Sequence, residues 1–393
     1  MHLVYISHTL PPVDRPLESL GGMQRVSMEL LGAFERRAQE DPSALRVTPM
    51  VLSVSWRWIH VMVVPFLLWT AFRLWWLIRR ERVDAVLCTS MVSASPIVLT
   101  QGILHRKGVR SAAISHGLDV TAPVAIYQWW IRRIFAAIDV LLPVSRATGE
   151  ASIEAGMDAQ RVRVISNGVD VDRLSSAVDR ASARTFIRRV FGFKPHAHVL
   201  VNVGRQVRRK GVAWFVRSVM PRLPEDVVLL VVGDGPEMAD IRQAINERGL
   251  ANRVRPAGRV DESLLMRALA GSDVFVMPNI PVAGDMEGFG VVMLEAGLLD
   301  LPTVASGIEG ILDVITDGVN GLLVTPGDDE GFANAIRRCL SSAAGADHGA
   351  VSADGTLSAS ESGAFVPGSI RAHVRSTFSW DAVSGRYLAA LLG

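Results

Sequence analysis

Short apolar runs alternate with longer stretches of helical periodicity along most of the chain. In the first half the runs are residues 3–7, 85–89, 111–115, 140–144 and 162–165, and in the second half they are 199–203, 227–232, 274–277, 303–305 and 321–324. Strands that alternate with helices are typical of βαβ units and parallel sheets. The pattern therefore predicts an α/β fold of two doubly wound, Rossmann-like domains that face each other across a cleft.

A polar stretch near residues 170–195 separates the two sets of strands. We place the first domain at residues 1–175 and the second at residues 190–370. Residues 341–370 are rich in Ser, Ala and Gly, which predicts a flexible surface loop. The helical pattern resumes at residues 371–393, which we expect to form a C-terminal helix that packs back toward the first domain.

The apolar segment 58–78 is long enough to be a transmembrane candidate. His60, Pro65 and Arg73 interrupt it, and the strands on both sides are predicted to belong to one sheet, so a spanning helix is disfavoured. Two interpretations stay open: a helix buried against the sheet, and an amphipathic helix on a membrane surface. The second is favoured by a local charge of +4 beside several tryptophans, a composition that residues 129–133 repeat.

The composition limits the broad class of protein. The chain has 393 residues, of which 49% are hydrophobic and 20% charged, so it contains enough apolar material for sizeable cores and is not intrinsically disordered. The net charge of +2 argues against a nucleic-acid binder. Cys88 and Cys339 form no metal-ligand or disulfide pattern. The first seven residues lack the features of a signal peptide, so we expect a first strand and a cytoplasmic protein.

A strand-to-helix connection in the second half carries two cations. A predicted strand ends in Gly204 and Arg205, and Lys210 follows five residues later at a helix start. Two cations beside exposed backbone N–H groups suit a diphosphate, whose negative charge grows when it departs in a transfer reaction. A solvated basic turn is the alternative, because Arg208 and Arg209 lie in the same loop.

The most specific block is a glycine-rich loop that leads into a helix. Glu287 opens it, Gly288, Phe289 and Gly290 follow, and Glu295 lies eight residues after the first glutamate, so both carboxylates can point to one side of a helix. The N-terminus of a helix binds phosphate, and carboxylates accept hydrogen bonds from sugar or ribose hydroxyls. Two solvated glutamates at a helix start are the alternative.

Together and in this order, these blocks resemble the retaining GT-B glycosyltransferases of the large family-4 class, over residues 1–340 and 371–393. Residues 277–290 look most like those of lipid-directed mannosyltransferases. The motifs that carry the resemblance are Gly21-Gly22, His116-Gly117, Val144-Ser145, Asn167-Gly168-Val169-Asp170, Gly204-Arg205 with Lys210-Gly211, Gly233-Asp234-Gly235-Pro236, Glu287 with Glu295, the segment 317–321, and the segment 378–381.

The resemblance implies a retaining, metal-independent hexosyltransferase that takes a sugar from a nucleotide diphosphate sugar. Arg205 and Lys210 would hold the diphosphate, Glu287 would contact sugar hydroxyls, and Glu295 would hold the ribose. His116 would lie near the reacting sugar carbon, with a satisfied core histidine as the alternative. The implied catalytic residues are His116, Arg205, Lys210 and Glu287, and the implied donor-binding residues are Gly21, Gly22, Gly204, Arg205, Lys210, Arg259, Val260, Glu287, Gly288, Phe289, Gly290, Val291 and Glu295.

We expect no metal, and no cofactor besides the nucleotide-sugar co-substrate. Asp170 and Asp172 match a metal-binding DxD by letters, but their place at the predicted domain linker argues against that role. The chain departs from the family at Asp300, where glycine is usual, at Asp313, where glutamate is commoner, and in the insertion 341–370.

The expected partners are a nucleotide diphosphate sugar (GDP-mannose is our choice), a lipid-linked or glycan acceptor, and an anionic membrane surface at the inner face of the plasma membrane; no nucleic acid is expected. One alternative is a nucleotide-sugar epimerase or phosphorylase of the same fold. Another is a non-catalytic, membrane-associated sugar-binding protein.

Overall fold

A computed structural model of the chain describes residues 1–10, 22–54, 56–122, 124–172, 179–346, 365–366 and 368–393. The predicted α/β class is confirmed, because these residues form two parallel sheets whose strands alternate with helices. The chain divides into two compact units. Unit 1 contains Met1–Asp170, Gly284–Val291 and Phe378–Gly393, and unit 2 contains Val171–Ala283 and Val292–Thr377.

The sheet of unit 1 has the strand order β2-β1-β3-β4-β5, and every neighbouring pair is parallel. Its central strands read as continuous apolar runs because helices cover both faces. The strands are β1 (His2–Leu10), β2 (Arg46–Ser53), β3 (Ala85–Cys88), β4 (Arg110–Ser115) and β5 (Val140–Pro143).

The helices of unit 1 pack on both faces of this sheet. One face is covered by α2, α3 and α5, whose buried Leu77, Leu104 and Ile134 share a core with Val4 and Val86 of the strands. The helices are α1 (Gly22–Glu40), α2 (Trp56–Arg80), α3 (Ser95–Lys107), α4 (Leu118–Thr121), α5 (Ala125–Ala137), α6 (Arg146–Glu154) and, at the C-terminus, α14 (Trp380–Leu392).

The C-terminal helix α14 is fixed to unit 1 by contacts at its first turn. A Cβ on Gly168 would overlap the indole of Trp380, so this position accommodates only glycine. The indole Nε1 of Trp380 donates a hydrogen bond of 2.7 Å to the Glu29 carboxylate on α1. Arg37 Nε donates to the hydroxyl of Ser384 at 2.8 Å. The last segment of the chain therefore contributes to the first unit.

The sheet of unit 2 has the order β11-β10-β9-β6-β7-β8, also parallel throughout. From β6 the chain adds strands on one side of the sheet (β7 and β8) and then on the other (β9, β10 and β11). The carboxyl ends of β6 and β9 lie side by side at this switch point, which is where open α/β sheets bind ligands. The strands are β6 (His198–Val203), β7 (Val227–Val232), β8 (Val254–Gly258), β9 (Val274–Met277), β10 (Thr303–Ser306) and β11 (Gly321–Val324).

The helices of unit 2 follow the same alternation. A continuous helical stretch after β6 begins as α8 (Val212–Trp214), continues as a π-helical turn (Phe215–Val219) and ends in a 3₁₀ turn (Met220–Arg222). The other helices are α7 (Arg180–Phe191), α9 (Met238–Glu247), α10 (Glu262–Gly271), α11 (Val291–Leu298, which begins at the last residue of the loop assigned to unit 1), α12 (Asp329–Ala346) and α13 (Ser369–Phe378).

The sequence analysis missed two strands, and both lie at the edge of their sheet. β2 contains Pro49 and β8 contains Pro256. Proline interrupts an apolar run and cannot donate to a strand ladder, but an edge strand tolerates it because one side needs no partner. Because many residues of β2 and β8 are only partly buried, their sequences contain polar residues and form no continuous apolar run.

One predicted strand was wrong. Residues 162–165 form no strand: they make one bridge to β5 at Leu141, and Pro143 has no N–H to extend the ladder.

The polar stretch 170–195 contains helix α7, which begins at the side-chain cap Asp179 and ends at Gly192 (φ 69°). This helix lies between the two sets of strands, as β6 begins only at His198.

The predicted loop 341–370 lies outside the described residues at 347–364 and 367. Where the structure describes it, residues 341–346 continue α12 and Ser369 begins α13, so these parts are helical rather than loop.

Candidate active site

Two glycine-containing turns lie against each other at the carboxyl edge of the unit 2 sheet. Gly204 ends β6 with a φ of 149°, and a Cβ on Gly233 would fall on its carbonyl oxygen. A Cβ on Gly235 would fall on the carbonyl oxygen of Gln206. Since only glycine allows such an approach, the two turns fix the path of the chain that leads to Arg205 and Lys210.

Lys210 is a buried cation at this edge. Its side chain is 6% exposed and passes the end of β6, so that a Cβ on Gly204 would lie 3.6 Å from Lys210 Cε. The ammonium Nζ lies 3.7 Å from Sδ of Met277, the last residue of β9. The lysine therefore sits at the carboxyl ends of β6 and β9, whereas Arg205 on the same loop is exposed.

Other predicted donor residues of unit 2 lie on elements that begin at the same edge. Glu295 is 4% exposed in the middle of α11. Arg259 and Val260 directly follow β8; Arg259 is exposed and Val260 is partly buried. The structure thus places Gly204, Arg205 and Lys210 on one loop, Glu295 on α11, and Arg259 and Val260 directly after β8. Their roles stay predictions.

The glycine-rich loop 284–291 belongs to unit 1 by its contacts, although it falls within residues 190–370, where the sequence predicts the second domain. A Cβ on Gly288 would fall on the carbonyl oxygen of His116. Phe289 is buried and meets the ring of Phe378 edge-on, with centroids 6.3 Å apart. Glu287 is buried as well, and Gly290 has a φ of 87°. The loop is therefore anchored between the end of β4 and the start of the C-terminal segment.

His116 is held in a defined orientation directly after β4. Its ring Nε2 lies 2.9 Å from the carbonyl oxygen of Thr89, and because a carbonyl only accepts, Nε2 carries the proton. Its backbone N–H donates to the Asp119 carboxylate at 2.7 Å. Burial raises the pKa of Asp119, although the charge of His116 and three backbone N–H donors oppose that shift. The sequence analysis did not find Asp119, which fixes this turn.

A second histidine, His8, lies at the same edge of unit 1 and was also missed. It sits in the last part of β1, and its Nδ1 lies 3.3 Å from Ser90 Oγ in the turn after β3. Burial lowers its pKa to about 4. A polar residue near the carboxyl end of an otherwise apolar strand was the available sequence signal. Of the glycine pair, Gly22 begins α1, and Gly21 lies outside the described residues.

Helix α2 exposes a long apolar surface. Between Trp58 (63% exposed) and Phe72 (64% exposed) every exposed side chain for which the structure describes burial is apolar. The opposite side of its C-terminal half is buried in the core of unit 1. The exposed apolar residues of α2, here called the α2 apolar surface, are Trp58, Val61, Met62, Val64, Leu68, Trp69 and Phe72.

The helix thus has one buried side and one exposed apolar side, and its attachment to a membrane surface stays a prediction. By length and composition Val61–Arg80 could cross a membrane, with 33% of that window buried. However, β2 before this helix and β3 after it both pair with β1. If the helix spanned a membrane, β2 and β3 would lie on opposite sides of the bilayer and could not belong to one sheet. Arginines lie over tryptophan rings at its C-terminal end, with Arg79 3.9 Å from the ring centre of Trp75.

Within the part of the chain that the structure describes, no group of three or more His, Cys, Asp or Glu side chains could hold a metal ion. Unit 1 therefore contributes two oriented imidazoles and the glycine-rich loop with Glu287, and unit 2 contributes the cations Arg205 and Lys210 and the buried Glu295.

Two family models match consecutive parts of the chain. "Glycosyltransferase Family 4" matches residues 20–173, and "Glycosyl transferases group 1" matches residues 197–342. Together they span about three quarters of the chain.

Curated relatives are similar at modest identity. A GDP-mannose-dependent alpha-(1-6)-phosphatidylinositol monomannoside mannosyltransferase of Mycolicibacterium smegmatis is 32% identical over 62% of this chain, and the match spans 64% of that relative, just under two thirds of its length. A GDP-mannose-dependent monoacylated alpha-(1-6)-phosphatidylinositol monomannoside mannosyltransferase of Corynebacterium glutamicum is 26% identical over 84% of this chain and 81% of its own.

Solved structures share the fold. The crystal structure of Anabaena HepE in complex with UDP matches over 100% of both chains with a TM-score of 0.70 and 18% identity. The strand order and the likeness to HepE show the GT-B fold, and the two family models, with the similarity to the mannosyltransferases, confirm the resemblance seen in the sequence: the chain belongs to the family-4 class of glycosyltransferases.

Proposed function

We propose that the protein transfers a sugar from a nucleotide diphosphate sugar to a hydroxyl group of a lipid-linked or glycan acceptor. The observation that carries this proposal is the buried ammonium of Lys210 at the carboxyl ends of β6 and β9. Lysine is rarely buried in proteins unless its charge is paired, and this lysine lies at the edge where sheets of this kind bind ligands. Family membership supplies the reaction class.

In this reaction the bond between the anomeric carbon and the phosphate oxygen breaks, and the nucleoside diphosphate leaves with the bonding electrons. Lys210 and the adjacent Arg205 stabilise the negative charge that develops on the leaving oxygens. The acceptor oxygen forms the new bond to the anomeric carbon, and its proton passes to the departing phosphate. We propose that attack comes from the face that the phosphate leaves, which retains the anomeric configuration.

The remaining predicted residues position the donor. Glu295, buried in α11, accepts hydrogen bonds from the ribose, and Glu287 does so from the sugar hydroxyls. The backbone N–H groups of Phe289, Gly290 and Val291 precede or open α11, whose dipole favours phosphate oxygens at this end. His116 lies beside the reacting sugar carbon. Because two protein cations neutralise the diphosphate, we propose that no metal ion is required.

GDP-mannose is the donor that we propose. Two relatives that share 32% and 26% identity are GDP-mannose-dependent mannosyltransferases. A solved structure of the same fold holds UDP, so the fold itself accommodates more than one base.

We also propose that the protein works at the inner face of the plasma membrane. The α2 apolar surface and the exposed Ile126 and Trp129 of α5 lie toward the N-terminal ends of their helices. In this sheet, helix N-termini follow the carboxyl ends of strands, so both groups of side chains are on the side of His116. Arg133 lies 4.3 Å from the ring centre of Trp129. Apolar and aromatic side chains with arginines nearby bind anionic lipid surfaces.

A donor panel tests the central proposal. Purified protein is melted with GDP-mannose, UDP-glucose, UDP-galactose and ADP-glucose, and a donor at 100 times its Kd stabilises the protein by about 2.7 kcal/mol. The binding donor is then incubated with octyl α-mannoside, and the products are separated by mass. We expect an octyl disaccharide. Conversion of the donor to an isomeric nucleotide sugar without an acceptor product indicates an epimerase. A product that forms only with inorganic phosphate indicates a phosphorylase, and no binding and no product refute the proposal.

A further inference from the structure

We propose that His8 binds a hydroxyl group of the acceptor, an inference that rests on the proposed function. Neither the family resemblance nor the donor chemistry assigns this histidine a role. It lies near the carboxyl end of β1, at the edge of the unit 1 sheet where His116 follows β4.

The two imidazoles are anchored on consecutive residues of one turn. His116 Nε2 bonds to the carbonyl oxygen of Thr89 at 2.9 Å, and His8 Nδ1 lies 3.3 Å from Ser90 Oγ. The turn itself is rigid, since Ser90 and Ser93 exchange hydrogen bonds between their backbone N–H groups and hydroxyls. Thr89 is further tied to β1 by its hydroxyl, which donates to Ser7 at 3.0 Å. His8 and His116 are therefore fixed relative to each other.

Among the residues that the structure describes, none is hydrogen-bonded to Nε2, the outer ring nitrogen of His8. Of the contacts among residues that the structure describes, the ring makes its hydrogen bond through Nδ1. The hydroxyl of Ser93 donates to the carbonyl oxygen of Ser90, so the Ser90 proton goes either to His8 or to Ser93. In the first case His8 Nε2 is a donor, and in the second it is an acceptor.

A hydroxyl group fits both cases, because it donates and accepts. A phosphate oxygen fits only a donor and would favour a charged imidazole, which burial at this position opposes. Sugar and polyol acceptors are rich in hydroxyl groups. His8 would hold one beside the attacking hydroxyl, leaving the attacking proton free to pass to the departing phosphate.

Paired substitutions separate the two ring nitrogens. In His8→Gln the side-chain amide reaches the position of Nε2, and in His8→Asn it reaches that of Nδ1, where it can still contact Ser90. With GDP-mannose and octyl α-mannoside as probes, we expect His8→Asn and His8→Ala to raise the acceptor KM about 3- to 10-fold, as for one hydrogen bond. His8→Gln should have an acceptor KM close to that of the wild type. The donor KM and the slow hydrolysis of donor without acceptor should stay within twofold of wild type.

His105→Ala is the matched control, because this histidine is exposed at the end of α3 and should leave all constants unchanged. An unchanged acceptor KM in His8→Asn overturns the inference, as does a loss of kcat with unchanged KM in every variant, which indicates a structural role. If the wild type binds no donor and transfers no sugar, the proposed function fails instead. Melting curves of each variant verify folding.

Discussion

The carbonyl oxygen of His116 occupies the space into which a Cβ on Gly288 would project. This relationship joins a residue at the end of β4 to one that follows it by more than 170 positions in the chain. Gly288 also faces Gly117, where a Cβ would lie 3.4 Å from Gly288 Cα. The glycine-rich loop is therefore seated on the His116 turn by backbone contact, with no room for a side chain.

Gly288→Ala should lower kcat/KM for sugar transfer by about 10- to 100-fold, because the methyl group displaces the loop and misplaces the groups that hold the sugar. Gly102→Ala is the control: Gly102 is exposed in α3 and its Cβ would meet nothing within 4 Å. Steady-state kinetics of both variants measure kcat/KM for sugar transfer. Wild-type kinetics in Gly288→Ala would mean that the loop has no part in the reaction.

Lys210→Met should lower kcat by about 10²–10³, as expected when a group that stabilises developing charge is removed. A melting curve verifies that the variant is folded, since methionine fills similar space. Lys107→Met, at an exposed position at the end of α3, serves as the control. A Lys210→Met protein with near-wild-type kcat would remove this lysine from the mechanism.

The double variant Trp69→Ser/Phe72→Ser should float at least about tenfold less with anionic liposomes at low salt, because two exposed side chains of the α2 apolar surface can no longer enter the lipid interface. Its melting temperature should change little. Val190→Ser/Leu312→Ser removes exposed apolar residues from unit 2 and should float like wild type. Wild-type protein that ignores such liposomes would refute the membrane proposal.

His8→Gln should make the stability of the protein less sensitive to acid. Burial lowers the pKa of His8 from 6.5 to about 4, so the unfolded chain binds this proton below pH 6.5 and the folded chain does so only near pH 4. The free energy of unfolding of the wild type therefore falls as pH drops through this window. Urea titrations at pH 7 and pH 5 should show a smaller loss for His8→Gln. If the free energy of unfolding falls equally from pH 7 to pH 5 in wild type and in His8→Gln, the acid sensitivity does not come from His8. The same holds if His105→Gln reduces the acid sensitivity as much as His8→Gln does.

Asp300 occupies a position where the family usually has glycine, and its side chain has a structural role there. It has a φ of 57°, a conformation suited to glycine, and its carboxylate accepts hydrogen bonds from the N–H groups of Gly368 and Arg371 at the start of α13. Asp300→Ala should lower the free energy of unfolding by about 1–2 kcal/mol through loss of this cap. Asp300→Gly should lower it by less, since glycine adopts this φ freely. Urea titrations of the two variants compare them; equal stability of all three proteins would exclude a capping role.

The central strands were predictable because burial on both faces requires uninterrupted apolar residues, and β7 and β9 agree with the predicted bounds. The edge strands β2 and β8 were not, because one open side permits proline and partial exposure. In the site, the loop from Gly204 to Lys210 could be found because glycine and cations at a strand end form a local pattern. Asp119 could not, since its role depends on a hydrogen bond within a turn.

The sequence by itself determined the alternation of strands and helices, the family motifs and the apolar character of residues 58–78, since each depends on neighbours along the chain. Only the tertiary structure decided that the loop around Gly288 lies on His116, that Lys210 is buried beside Met277, and that α2 has one buried and one exposed apolar side. These relationships join segments far apart in sequence. Backbone approach and burial are properties of packed neighbours, which no local pattern of residues encodes.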